Sequence, residues 1–249
     1  MKISVVTAVR NGAATLPRML DSLRAQTHPD LEHVVQDGAS TDGTVELLRA
    51  QGLAGMALVS AADGGIYEAI NAGIRRATGD VIGLLHADDV LADSTILARV
   101  AEVLADPAID GAYGDLHYVA RADPSRVIRH WRAGAFSPRA LARGWMPPHP
   151  TLYLRREVFD RAGLYDTSYR ISGDYDGMLR FLTTGQVRLA YIPHVMVRMQ
   201  MGGASNRSFA QMIRKSREDY RAIRRHGVGG IGTLVAKNLG KLPQFWGQV

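Results

Sequence analysis

Residues 2–23 read KISVVTAVRNGAATLPRMLDSL, an apolar run that passes into a helical stripe. The first seven, rich in Val and Ile, predict a buried strand, and residues 15–26 then set Leu16, Met19, Leu20 and Leu23 on one helical face. The same step recurs. Residues 31–37 (LEHVVQD) form a second strand, GASTDG a turn, and residues 44–49 a helix carrying Val45, Leu47 and Leu48. Residues 56–60 supply a third strand, residues 66–77 a helix with Ile66, Ala69, Ile70, Gly73 and Ile74 inward, and residues 80–85 a fourth strand. Three alternations imply an α/β fold with a mostly parallel sheet covered by helices on both faces.

After that the rhythm changes. Asp93 is expected to cap a helix through Leu104, Asp106-Pro107 stops it, and residues 111–131 read as strands around the polar loop RADPSR. MPPHP at 146–150 breaks the chain before a strand TLYL and a short helix ending at Gly163. A helix over 174–184 closed by Gly185, one or two strands over 188–200, and an amphipathic helix over 208–226 with Phe209, Met212, Ile213, Tyr220 and Ile223 on one face complete the pattern.

The 249 residues suit one catalytic unit with an appendage, and 46% hydrophobic with 22% charged residues is ordinary globular composition. With no cysteine there is no disulfide, thiolate zinc site or cysteine nucleophile, so any metal sits on oxygen or imidazole. Neither a secretory signal nor a window long enough to span a bilayer is evident, and a cytoplasmic chain is expected. The net charge is +6, and Arg214, Lys215, Arg217, Arg221, Arg224 and Arg225 crowd one C-terminal run. A basic amphipathic helix followed by VGGIGTLVAKNLGKLPQFW suggests docking on the inner face of an anionic membrane, against a helix that simply packs on the domain. No nucleic-acid partner is expected, because aromatic residues are not interleaved with these charges.

Open parallel sheets bind ligands beyond the C-terminal ends of their strands. There the sequence offers Thr7 to Gly12, Gln36-Asp37-Gly38, Asp63-Gly64-Gly65 and His86-Ala87-Asp88-Asp89. Neither a dinucleotide fingerprint nor a P-loop is present. Asp88 and Asp89, at the end of the apolar VIGLL, suit Mg2+ or Mn2+ bridging to a diphosphate.

ISVVTAVRN, VVQDGASTDGT, DGGIYEAINAGIRRATGDVIGLLHADD and SGDYDGMLRF, with a weaker MGGASNR, occur in this order. Together they make the chain resemble the family-2 inverting glycosyltransferases of GT-A fold. GIYEAINAGI through HADD is similar to enzymes that build bacterial exopolysaccharide and lipopolysaccharide. The resemblance implies a GT-A domain over 1–205, with a nucleotide-sugar half (1–106) and an acceptor-side half (107–205), and a basic helical extension over 206–249. It implies that Asp37 contacts the donor base, that Asp63 lies near the nucleoside with Thr7, Arg10 and Asn11 around it, and that Asp88 and Asp89 hold metal and diphosphate. His86 stands where relatives often carry an acid and is left a ribose or ion contact. Gly64 stands where they often carry Lys, leaving Arg10, Arg75 or Arg76 for phosphate. Asp174 falls at the general base, with Gly173 in place of a common glutamate.

His149 and Asp176 are candidates for acceptor or diphosphate contact, though a carboxylate at Asp176 also suits the start of a helix. Gly202, Gly203 and Ser205 resemble a segment that closes near the diphosphate. Trp131 and Trp145 either stack on sugars or pack in the core. The implied reaction moves a sugar from a nucleotide-sugar donor to a hydroxyl of a glycan or lipid-linked glycan in cell-surface polysaccharide biosynthesis. The alternatives are a sugar nucleotidyltransferase and a non-catalytic glycan-binding protein with a degenerate site.

Overall fold

A computed structural model of the chain describes residues 1–201 and 209–240. Its centre is β1 (Ile3–Val9), buried along its whole length because helices cover both of its faces. β1 pairs in parallel with β2 (Leu31–Asp37) on one side and β4 (Val81–Leu84) on the other, and β2 pairs in parallel with β3 (Ala57–Ser60). The crossovers are α1 (Leu16–Arg24), α2 (Thr44–Gln51) and α3 (Ile66–Arg76). In register, Val9 meets Asp37 and Asp37 meets Ser60, so these strands all end on one edge of the sheet.

Beyond β4 the sheet becomes mixed. β5 (Asp89–Leu91), β6 (Gly111–Val119), β7 (Val127–Trp131), β8 (Tyr153–Arg155) and β9 (Leu189–Gln200) complete the order β3-β2-β1-β4-β8-β6-β9-β5, with β7 against β6. Of these later pairings only β6 with β9 is parallel. The three-residue β5 was not expected from its sequence. A flat sheet would hold β4 and β5 about 19 Å apart, beyond the roughly 18 Å that the chain from Leu84 to Asp89 can span. The sheet therefore curls, and the DD motif lies at the closure.

One core cluster packs the α1 and α4 (Ile96–Val103) face, from Leu16, Leu20, Ile96 and Val100. The other joins Ile70 and Ile74 of α3 to Val158 of α6 (Arg156–Ala162) and to Met178 and Phe181 of α7 (Gly173–Leu182). A one-turn helix, α5 (Pro138–Leu141), leads into the Pro-rich segment. Asp93 stands before α4 rather than at its cap: its Oδ1 accepts from the Thr95 backbone N–H and hydroxyl, both at 2.7 Å, and its Oδ2 lies 2.6 Å from His194 Nε2.

α8 (Phe209–Arg225) and α9 (Ile231–Leu239) pack onto this body. The face of α8 turned inward is Asp219, Ala222 and Ile223, while Met212 and Ile213 are exposed, which corrects the expected apolar face. Ion pairing sets this rotation, since Lys215 and Lys237 both reach the buried Asp219. The boundary expected at residue 205, Gly203 and the rest of the GGAS segment lie outside the described residues.

Candidate active site

The first two strand tips are tied together before any ligand is considered. Asn11 adopts a left-handed φ of 54°, which Asn tolerates better than most residues. Its side-chain carbonyl accepts from the Thr41 N–H (2.9 Å), and its own N–H donates to Ser40 Oγ (2.7 Å). Asp37, fully buried, accepts from the Ser40 N–H (3.0 Å), the Ser60 hydroxyl (2.6 Å) and the Ser40 hydroxyl. A carboxylate offers about four acceptor positions, so one remains for a further donor. Gly38 is needed here: a Cβ would stand 2.7 Å from Asp63 Oδ2 and 3.5 Å from Arg10 Cβ, so the β1, β2 and β3 tips meet at this glycine. Arg10 is exposed and Asp63 half-buried at the same place.

Thr7 sits a layer lower. It is fully buried, its hydroxyl donates to Leu85 O (2.9 Å) and lies 3.1 Å from His33 Nε2, so it braces the β1 and β4 tips and offers no free hydroxyl.

At the β4 tip, His86 and Asp88 are half-buried and Asp89 is fully buried. Burial lowers the His86 pKa below the ordinary imidazole value, against the opposing pull of two neighbours, Asp88 and Asp174. Asp174 of α7 and Asp88 of the DD motif thus both act electrostatically on this imidazole, although 86 residues separate them in sequence. His149, buried, has its ring centroid 6.0 Å from that of His86 and its Nε2 3.1 Å from the Tyr165 hydroxyl. Burial brings its pKa down to about 4, so it is neutral at physiological pH and forms the wall behind His86.

Asp174, half-buried at the start of α7, accepts the Tyr175 N–H on Oδ1 (2.8 Å), and the Tyr67 hydroxyl lies 3.3 Å from the same oxygen. The loop leading into α7 is fixed from below: Glu218 of α8 accepts the N–H groups of Arg170, Ile171 and Ser172 at 2.8–3.1 Å. Gly173 has its own reason, because a Cβ there would approach the Tyr67 ring to within 2.7–2.9 Å.

Asp176 does not join the site. It is buried on the far side of α7, where it meets His226 Nε2 at 3.0 Å and Arg225 at 3.7 Å, so the expectation of an acceptor or diphosphate contact is corrected to an anchor for α8. Trp145 likewise packs: its indole N–H donates to Ala133 O and its ring lies against Tyr113 and Phe136. Arg76 donates to Gln36 and Val35 O inside the fold, and Arg75 is exposed beside it at the C-terminal end of α3. The cation that does reach Gly64 is Arg170, missed in the sequence, whose exposed guanidinium donates to Gly64 O at 2.8 Å.

A divalent cation fits the β4 corner in part. Both Asp89 oxygens are buried without a hydrogen-bond partner, and burial together with Asp88 raises its pKa well above the usual carboxylate range. A cation would relieve both. Among the described residues no three acidic or imidazole groups converge to hold an ion unaided, so a bound ion would complete its shell from phosphate and water.

The sequence over residues 4–164 matches the model of Glycosyl transferase family 2. The chain belongs to this family. As a family 2 glycosyltransferase it is 34% identical over 209 residues to a "PGL/p-HBAD biosynthesis glycosyltransferase" of Mycobacterium bovis, covering 82% of this chain and 78% of that one. It is 29% identical over 230 residues to an uncharacterized glycosyltransferase of Nostoc sp., covering 88% and 70%. Among solved structures, this glycosyltransferase is similar to the mannosyltransferase PcManGT from Pyrobaculum calidifontis, in complex with GDP-Man and Mn2+, with a TM-score of 0.67, 22% identity, and coverage of 98% of this chain and 73% of that one. S. aureus TarS 1–349 in complex with UDP-GlcNAc gives a TM-score of 0.70 at 15% identity, covering 92% of this chain and 66%, just under two thirds, of that one. These likenesses establish the GT-A fold expected above. No helix among the described residues is long and apolar enough to cross a membrane.

Proposed function

We propose that this glycosyltransferase transfers a sugar, with inversion, from a nucleotide-sugar donor to a hydroxyl of a glycan or lipid-linked glycan in cell-surface glycan biosynthesis. What supports the reading is that Asp88 and Asp174 both act electrostatically on His86, with Asp174 held half-buried at the start of α7 by the Tyr175 N–H. Asp174, accessible and aimed by Tyr67 and the Tyr175 N–H, takes the proton of the acceptor hydroxyl as that oxygen attacks the anomeric carbon. Attack opposite the leaving diphosphate inverts the centre once. Asp37 has one acceptor position left for a ring N–H of the donor base, Asp63 and Arg10 flank the nucleoside, and Arg170 joins Arg10 as a phosphate-side cation. Asp88 and Asp89 would hold Mg2+ or Mn2+, which when bound would supply positive charge for the diphosphate. His86, kept neutral by burial, contributes a lone pair or an N–H at the same corner.

Relatives named for PGL/p-HBAD biosynthesis and neighbours bound to UDP-GlcNAc or GDP-Man with Mn2+ support this substrate class. The test is a thermal-shift panel of UDP, GDP, dTDP and CDP with and without Mn2+, in which a ligand at a hundredfold excess over Kd adds about 2.7 kcal/mol. Turnover of the matching donor is then followed in EDTA, with the anomeric configuration of the fresh product read by proton NMR. Full activity in chelator removes the metal from the reading, and a retained configuration removes the single displacement.

A further inference from the structure

α9 is turned inside out. Thr233 and Lys237, each 5% exposed, face the protein, whereas Ile231, Val235 and Leu239, spaced four apart on one stripe, are 68%, 48% and 58% exposed. A helix held only by apolar packing turns such a stripe inward and leaves its lysine in water. Here the rotation is fixed by polar partners. Lys237 Nζ lies 2.9 Å from Asp219 Oδ1 and 3.2 Å from the centroid of the Tyr175 ring, and the Thr233 hydroxyl donates to Ala142 O at 2.9 Å. A side chain at Gly144 would collide with the Lys237 backbone and Cβ, so the helix is seated close. Burying an ammonium is costly unless it is paired, and this one is, so the inverted orientation is a built feature.

The two C-terminal helices are basic in sequence. Residues 209–240 hold seven Lys and Arg (Arg214, Lys215, Arg217, Arg221, Arg224, Arg225, Lys237) against two acids (Glu218, Asp219), which is +5 of the chain's +6. Both acids are spent internally, Glu218 on backbone N–H groups and Asp219 on Lys215 and Lys237, and Arg225 is paired with Asp166 and Asp176. Arg214, Arg217 and Arg224 on α8 face solvent, with Met212 and Ile213 exposed near the start of the same helix.

We infer that α8 and α9 form a docking surface for an anionic lipid bilayer, with the α9 stripe entering the headgroup boundary and the α8 arginines meeting lipid phosphate. Apolar side chains beside a cationic face are what an interfacial helix requires, and the positive excess selects an anionic surface over a neutral one. A second copy of the chain is the less favoured occupant, because two such surfaces brought together repel. This inference deepens the proposed lipid-linked acceptor, which a docked enzyme would meet at the membrane, but vesicle binding needs neither donor nor acceptor and so is decided separately from transfer.

The experiment is co-sedimentation of the full chain with vesicles of phosphatidylcholine alone or with 3:7 phosphatidylglycerol, across a salt series, with sedimentation velocity on the same samples. Binding to the anionic vesicles that weakens with salt is expected. It should fall by about tenfold or more in the Ile231→Ser, Val235→Ser, Leu239→Ser triple variant and in Arg217→Glu, Arg224→Glu. The altered side chains are all exposed, so circular dichroism and Tm should be unchanged; should the triple variant unfold, the Arg variant decides alone. Absence of binding to anionic vesicles, equal binding to neutral ones, or full binding by both folded variants overturns the inference. So does a dimer of the wild-type chain that the triple variant dissolves.

Discussion

The Tyr67 hydroxyl stands 3.3 Å from Asp174 Oδ1 while its ring fills the space that a side chain at residue 173 would need. The same hydroxyl lies 2.6 Å from Ile171 O, where its single proton goes, so the phenol fixes the loop that carries the carboxylate. Asp174→Asn is expected to lower kcat by about 10² to 10⁴, the usual worth of a general base, with donor affinity little changed. Tyr67→Phe removes one hydrogen bond and should lower kcat by about tenfold, with donor KM nearly constant. Near-normal kcat for Asp174→Asn in steady-state assays would shift the base elsewhere.

Asp176, two residues on, should behave in the opposite way. Its carboxylate is buried with His226 and Arg225, and breaking a buried pair costs about 3 kcal/mol or more. Asp176→Asn is therefore expected to lower Tm by roughly 6–12 °C in a chain of this size, with kcat per folded molecule within a few-fold of wild type. Calorimetry and a rate measured well below Tm separate the two effects, and a large kcat loss at unchanged Tm would contradict the anchoring role.

Arg170 reaches across from the second half of the chain to Gly64 O. Hydrogen bonds to charged groups contribute about 1.5–3 kcal/mol, so Arg170→Ala is expected to raise donor KM by about tenfold to a hundredfold. Because the side chain is exposed, Tm should hold. An unchanged KM leaves phosphate to Arg10 alone.

His33, buried beneath the strand tips against Thr7, has its pKa lowered to about 4 by burial. The unfolded chain binds its proton near 6.5, so between these values the unfolded state takes up a proton that the folded state refuses. Stability is then full above about pH 6.5 and falls as pH drops toward 4, by up to about 3 kcal/mol from this residue. Urea midpoints from pH 7.5 to 4.5 should show the decline, and His33→Gln should flatten it. A variant profile as steep as wild type assigns the loss to other groups, among them His149, which burial shifts the same way.

The alternation of apolar runs and turn clusters in residues 2–85 determined β1 to β4 with α1 to α3 by itself, because each element needs only its own periodicity and caps. The strand-tip residues could be read for the same reason: in a parallel sheet every strand's C-terminal end falls on one edge. The proposal of Asp174 as base rests on a sequence motif in fixed order. What only the tertiary structure decided are contacts between residues tens to more than a hundred positions apart. That Asp176 is buried as an anchor for α8 is decided only when His226 and Arg225 pack beside it. Arg170 at Gly64 and Tyr67 against Gly173 depend on how α7 seats over α3, which no local pattern encodes. The orientation of α9 is settled by a buried Lys237–Asp219 pair, whose gain depends on desolvation and on the position of a partner in another helix. Periodicity reports which side chains favour burial, and packing decides which of them obtain it.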